Sequence, residues 1–113
     1  MKVMFICTGN ICRSAMAEAI MKEEAQKRRL NIEVCSSGTF AENGEFASYN
    51  AIEAMKKNDI DLKSHRSTNI VNSDILEMDL VLCATVSHKV SVMSMYPEIK
   101  EKVYTMKEYA EIL

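Results

Sequence analysis

Residues 2–14 read Lys2-Val3-Met4-Phe5-Ile6-Cys7-Thr8-Gly9-Asn10-Ile11-Cys12-Arg13-Ser14, and this stretch decides the fold class. After Lys2 the run through Ile6 is unbroken apolar, the pattern of a strand buried on both faces. Thr8-Gly9-Asn10 stops it. From about residue 14 to 29 the period becomes helical. Met16, Ala17, Ile20, Met21 and Ala25 gather on one side, and Glu23, Glu24, Lys27 and Arg28 fall largely on the other. A buried strand, a short polar loop and an amphipathic helix, in that order, open a parallel α/β sheet.

The alternation continues outward from that unit. Residues 32–36 predict a second short strand, ended by Ser37-Gly38, and a loop with Asn43-Gly44 follows. Ala47, Ala51 and Met55, spaced i, i+4, i+8, predict a helix closing near Asn58. A polar connection after Asp61 holds His65 and Arg66, and a short helix is expected near 73–77. Residues 79–84 predict a third buried strand, and Val86, Val90 and Met93 mark the apolar face of a helix stopped before Pro97. A fourth strand at 102–105 and the start of a helix at 107–113 complete the pattern. Strands alternating with helices imply a parallel sheet with helices on both faces. With no repeat, linker or low-complexity tract, residues 1–113 are expected to form one domain.

Composition narrows the function classes. A net charge of −2 exerts no general pull on nucleic acid or an anionic membrane, so neither is expected as a partner and any anion site must be local. The apolar start meets Thr8-Gly9-Asn10 too soon for a signal-peptide core or a bilayer span. Four cysteines at positions 7, 12, 35 and 83, without a secretory leader, fit a reducing compartment, so a cytoplasmic location is the expectation. Two of them lie five positions apart on one loop, which suggests a redox role rather than a staple. The absence of a CxxC pair and the presence of only two histidines argue against zinc, and no metal or cofactor is expected.

The loop between the first strand and the first helix is where a parallel α/β protein binds anions. A Cys and an Arg six positions apart say little alone, and a strand-end cysteine is usually a small buried hydrophobe. Their neighbours change that reading. Gly9 is expected to let the backbone curl, and Asn10 tolerates left-handed dihedrals. The N–H groups of Thr8, Gly9, Asn10, Ile11, Cys12, Arg13 and Ser14 can then turn inward as a nest for phosphate oxygens. Arg13 closes the cup as a planar fork, a bidentate geometry that lysine cannot match. Cys7 lies beneath with its sulfur toward the phosphorus, where the same donors stabilise a thiolate and Ser14 can donate a hydroxyl hydrogen bond to it. The implied reaction is thiolate attack on a phosphomonoester, giving a phosphocysteine that water hydrolyses.

On these residues the sequence resembles the low-molecular-weight protein tyrosine phosphatases, bacterial members above all, and lies close to the protein-arginine phosphatases. The resemblance is carried by residues 7–14 followed by Met16-Ala17-Glu18, and by Ser36-Ser37-Gly38-Thr39. It extends through Asp61-Leu62-Lys63-Ser64-His65, Asp79-Leu80-Val81-Leu82, and Lys102-Val103-Tyr104-Thr105 leading into Lys107-Glu108-Tyr109. It implies a three-layer α/β fold with a four-stranded parallel sheet of order 2-1-3-4. It also implies Cys7 as nucleophile, Arg13 as phosphate clamp, and Asn10, Ser14, Ser36 and His65 as a polar network holding the loop. Cys12 would form a reversible disulfide with Cys7 that guards it from over-oxidation. The implied activity is hydrolysis of phosphorylated protein side chains, with phosphorylated protein and inorganic phosphate as partners.

Three departures from the family pattern qualify that expectation. Ala15 stands where proline is usual, a change between residues that both suit a helix start. Ile11 stands where the tyrosine-phosphate enzymes carry isoleucine and the arginine phosphatases threonine, so it favours phosphotyrosine while the surrounding sequence is nearer the arginine enzymes. Both substrates stay open. Family members continue past the fourth strand into an Asp-Pro-aromatic loop, whose Asp protonates the leaving group, and a final helix. The four aspartates here, Asp59, Asp61, Asp74 and Asp79, all precede that strand. The C-terminal helix and general acid are therefore expected to be missing, at a cost of about 10²–10⁴-fold in rate. The missing helix is also expected to leave an apolar strip of one sheet face open to homo-oligomer formation. Alternative readings are a phosphate-binding or redox-responsive remnant, and arsenate reduction, which needs a further cysteine that residues 84–113 do not supply. Phe40 is expected to border the cleft.

Overall fold

The computed structural model describes residues 1–112. β1 (Lys2–Cys7) pairs in parallel with β2 (Glu33–Gly38) on one side and β3 (Leu80–Cys83) on the other, and β4 (Val103–Thr105) adds beside β3. The sheet order β2-β1-β3-β4 is the one the family resemblance implies. Because side chains alternate across a strand, β1 must be apolar at successive positions to serve two covered faces. Val3 and Phe5 join Val34, Leu80 and Leu82 under Ala17 and Met21 of α1 (Arg13–Lys27) and Met106 and Tyr109 of α4 (Met106–Ile112). Met4 and Ile6 join Val81, Cys83 and Val103 on the other face, packed by Val92 of α3 (Val86–Met95). α2 (Tyr49–Lys56) lies against α1 through Ala15, Ala47, Ala51, Met55 and Leu62, where small residues let the two helices approach closely.

Helix faces were the least legible part. Ile20 is exposed, because the inward arc of α1 runs through Ser14, Ala17, Met21 and Ala25 instead. On α3 the expected apolar face is largely wrong. Val86 and Val90 are exposed, and the buried pair is His88 and Val92. The short helix expected at 73–77 is a pair of 3₁₀ turns, Ile70–Asn72 and Ile75–Glu77, which deliver Ile70 and Ile75 to the core. A further 3₁₀ stretch, Pro97–Lys102, precedes β4.

The open apolar strip does not occur among the described residues. Val3, Phe5, Leu80 and Leu82 are all buried, so that face offers no ground for self-association. α4 is fastened by a reciprocal capping box, Thr105 N–H to Glu108 Oε1 at 2.8 Å and Glu108 N–H to Thr105 Oγ1 at 3.0 Å. Lys89 of α3 reaches the same Glu108 oxygen at 2.6 Å, and this contact, ahead of the Thr105 amide, holds the carboxyl below its ordinary range. No described helix is long and apolar enough to cross a membrane.

Candidate active site

β1 and β3 run side by side, yet the chain leaves β1 toward β2 and returns later to β3. The crevice beyond their C-terminal ends is therefore the switch point where open α/β sheets place ligands. Residues 8–12 connect β1 to α1 at that edge.

The loop is held by its carbonyls. Cys7 C=O accepts from Thr39 N–H at 3.0 Å, Thr8 C=O from Phe40 N–H at 3.0 Å, and Ile11 C=O from Ser48 N–H at 2.7 Å. Asn10 C=O accepts from His65 Nε2 at 2.6 Å, so that ring nitrogen carries the proton. Cys12 C=O takes the first helical bond, from Met16 N–H at 2.9 Å. Among the described residues the N–H groups of Gly9, Asn10, Ile11 and Cys12 meet no protein acceptor. α1 begins at Cys12 without any side-chain cap, which leaves its first-turn donors open as well. A loop with its carbonyls tied outward and its amides left free is suited to hold an anion.

Asn10 is the keystone of the buried side. It is fully buried and has a left-handed φ of 57°, a conformation asparagine tolerates. Its Oδ1 accepts Thr68 N–H at 2.8 Å, which fixes the amide orientation, so Nδ2 donates to Ser14 Oγ and Ser36 Oγ, each at 2.8 Å. Ser14 Oγ, accepting there, also lies 2.9 Å from Cys7 Sγ, where the thiol or the hydroxyl can donate and where a thiolate would take the serine hydrogen. Ser36 turns its hydrogen to Glu18 Oε1 at 2.5 Å. The hydrogen-bonded chain runs from Thr68 through Asn10 and Ser14 to the Cys7 sulfur.

Expectation and geometry part at Gly9. Its φ is not left-handed, and an added Cβ would meet only Ile11 Cγ1 at an ordinary 3.6 Å. Asn10, not Gly9, makes the turn. The glycine that the site requires is Gly38, at the end of β2. A Cβ there would lie 2.4 Å from Thr8 O and 3.0 Å from Asn10 N, so its bare backbone is what lets β2 lie under the loop. Arg13 is exposed at the start of α1, and among the described residues its guanidinium has no carboxylate partner. Cys12 is half-buried against the Ala15–Ala51 cluster and, like Cys7, is a free thiol. Ile11 is half-buried and Phe40 is exposed.

Sequence reasoning missed four participants. Glu18, Thr68 and Ser48 anchor the loop through contacts that sequence distance hides. The fourth is His88, whose Nε2 lies 2.7 Å from Thr8 Oγ1 and whose Nδ1 lies 2.7 Å from Thr85 Oγ1. Burial first, and the Arg13 charge second, hold its pKa below the ordinary histidine value. The one available signal was its place three residues after Thr85, the cap of the helix that follows β3.

The remaining titratable groups lie elsewhere. Burial pushes the Cys83 thiol up to about 12 and the Cys35 thiol up to about 11, which removes both as ready thiolates for a second redox step. Asp79 Oδ2 accepts from Lys2 N–H at 2.7 Å, and Asp74 shares a small cavity with Lys2 and Glu33, both at the sheet edge opposite the loop. Asp59 and Asp61 line a cavity beside α2. A polar cavity of about 330 Å³ lies behind the loop, lined by Glu18, Lys22, Cys35, Ser36, His65 and Arg66 among others. Among the described residues no three His, Cys, Asp or Glu side chains could hold a metal ion together.

Comparison with known proteins places this geometry. The family model for low molecular weight phosphotyrosine protein phosphatase matches residues 2–112. The protein-arginine-phosphatase of Bacillus subtilis is 40% identical over 109 residues, which cover 96% of this chain and 72% of the relative. The low molecular weight protein-tyrosine-phosphatase PtpB of Staphylococcus epidermidis is 34% identical, over 96% of this chain and 73% of its own length. Among solved structures, a low molecular weight protein tyrosine phosphatase from T. tengcongensis superposes with a TM-score of 0.91 at 43% identity, covering 96% of this chain and 75% of that one. Fold, loop and sequence converge, and the chain belongs to the low molecular weight phosphotyrosine protein phosphatase family.

Proposed function

We propose that this chain hydrolyses phosphate esters or phosphoramidates of protein side chains through a phosphocysteine. Cys7 Sγ attacks phosphorus and forms the S–P bond as the bond to the substrate oxygen or nitrogen breaks, and the leaving group takes up a proton. Water then adds to phosphorus and the sulfur departs as thiolate, releasing inorganic phosphate. The free amides of residues 9–12 and the first turn of α1 hold the equatorial oxygens, and Arg13 supplies the charge-assisted fork. The Ser14 hydroxyl stabilises the sulfur both before attack and on departure. Asn10, Ser36 and His65 keep the cup in shape. Cys12 is the proposed partner for a protective disulfide with Cys7, a role suited to a reducing, cytoplasmic setting.

The observation that carries this reading is the division of the loop into bonded carbonyls and unbonded amides, with the Ser14 hydroxyl 2.9 Å from the Cys7 sulfur. Cys7→Ser tests it. Turnover of an aryl phosphate should fall by at least ~10⁴-fold with the fold intact, and retained activity would end the reading. Ile11, apolar and beside the cup, favours the flat ring of phosphotyrosine, while the identity to the arginine phosphatase favours phosphoarginine. Paired peptides carrying each modification, assayed on wild type and Ile11→Thr, decide between them.

A second reading has its own support: none of the four aspartates hydrogen-bonds to residues 7–14. On residues 1–113 alone the site binds phosphate and forms phosphocysteine without efficient turnover of poor leaving groups. Rates should then fall steeply as the leaving group becomes more basic, and a flat dependence would reveal an acid among these residues.

A further inference from the structure

The loop is gripped unequally on its two sides. Toward β2 and α2 it is tied by Asn10, Ser36, His65, Thr68 and Ser48. Toward β3 the attachment is a single one among the described residues. Thr8, exposed at the mouth between Cys7 and Gly9, holds its carbonyl on Phe40 N–H and its hydroxyl on His88 Nε2. Gly9 brings no side chain, and a Cβ there would touch only Ile11. The segment that carries the first free amide of the cup therefore rests on β2 through its backbone alone, with no apolar side chain to pack it.

His88 is well placed to supply what packing does not. It is 7% exposed, on the first turn of α3, at the switch point between β1 and β3. Its other nitrogen is held by Thr85, whose hydroxyl also caps α3 by accepting His88 N–H at 3.3 Å. Both ring nitrogens thus have a partner, which fixes the plane of the imidazole. Thr85–His88–Thr8 forms a strut from the end of β3 to the start of the anion loop. At this buried position of α3 valine or leucine would fill the same space without a polar debt, so packing alone does not call for a histidine.

We propose that His88 is a positioning residue for the anion loop, acting through the Thr8 hydroxyl to hold the Thr8–Gly9 segment so that its amides converge on phosphate. The proposal rests on the phosphatase reading for its chemistry but concerns binding, so it is separable by experiment. Loss of one hydrogen bond at such a site is expected to weaken binding of inorganic phosphate by about tenfold and kcat/KM by about as much. His88→Gln, whose amide can place a donor near the position of Nε2, should recover most of that loss, whereas His88→Ala should not.

The decisive experiment is a double-mutant cycle of His88→Ala and Thr8→Val, read by inorganic phosphate binding and by turnover of an aryl phosphate. If His88 acts through Thr8, each single variant falls about tenfold and the double variant falls no further. A purely structural role for His88 predicts unchanged phosphate affinity in the folded His88→Ala protein, or losses that add in the double variant. Either result overturns the proposal. If the wild-type chain binds phosphate but does not turn over esters, the phosphatase reading fails and the binding cycle still decides on His88. A wild-type chain that binds no phosphate overturns both.

Discussion

Two strand-to-helix junctions stand side by side at the same sheet edge, and they use the same opening residue differently. β1 ends in Cys7 and β3 ends in Cys83, both buried and in adjacent strands. After Cys83 the chain needs two residues to start α3, and Thr85 closes the helix with its own hydroxyl. After Cys7 it takes five residues, turns left-handed at Asn10, and starts α1 with no side-chain cap. The closed junction spends its donors internally, and its thiol, with no hydroxyl on it, is pushed up to about 12 by burial. The open junction leaves its donors free and sets a serine hydroxyl 2.9 Å from the sulfur. On the proposed function, the two strand-end cysteines differ in reactivity because the helices that follow them are capped differently.

Exchanging the two cysteines for serine tests the comparison where the effect is largest. Cys7→Ser removes the proposed nucleophile, whereas Cys83→Ser should leave turnover within about threefold and cost roughly 1–3 kcal/mol of stability from an unpartnered buried hydroxyl. Equal losses of activity from the two would erase the distinction between the junctions. Gly38→Ala comes next. Its Cβ would clash with Thr8 O and Asn10 N, both backbone, so the loop must move, and kcat/KM should drop by about 10²-fold or more. Gly44→Ala is the control: nothing lies within 4 Å of its Cβ, and only its φ of 85° is strained, so it should cost about 1 kcal/mol and no activity.

Asn10→Asp sharpens the comparison at smaller scale. The acceptor for Thr68 N–H survives, but the two donors to Ser14 and Ser36 are gone. Ser14 is then released from its fixed orientation and can point its hydrogen at the new carboxylate instead of Cys7. A loss of about 10–10²-fold in kcat is expected, with the circular dichroism spectrum unchanged. Full activity in this variant would show that the hydrogen-bonded chain through Asn10 and Ser14 is not what prepares the sulfur.

The architecture was legible because β1 after Lys2, and β3 throughout, serve two covered faces and so are apolar at successive positions. Strand order was not legible from that pattern; it came with the resemblance. The loop's place between β1 and α1 was legible from residue types, while the chemistry given to Cys7 and Arg13 there belongs to the proposed function. The role given to Gly9 was wrong because residue type does not reveal which of two adjacent residues turns. Gly38 was hidden because its constraint is a backbone contact across the sheet with a residue thirty positions away. α3 was misread for a related reason. Val86 and Val90 share the spacing of His88 and Val92, and hydropathy prefers the valines. Only the hydroxyls of Thr8 and Thr85, brought together by the fold, make burial of a histidine acceptable.

The mildest test of the comparison is thermodynamic and sits at alkaline pH. The Cys83 thiol ionises near 9.0 in an unfolded chain but only at about 12 in the folded one, because burial resists the charge. Between those values the unfolded state has given up a proton that the folded state keeps, so folding stability falls as pH rises. The contribution is fully present below pH 9.0 and is lost progressively toward about 12. Cys35, raised to about 11, adds a parallel and narrower loss. Urea unfolding of wild type and Cys83→Ala from pH 8 to pH 10.5 separates the two contributions, since the variant lacks only the Cys83 part. The wild type should lose stability faster than Cys83→Ala over that interval. Parallel curves would mean that the thiol at the closed junction ionises as readily folded as unfolded, and that burial there does not hold its proton.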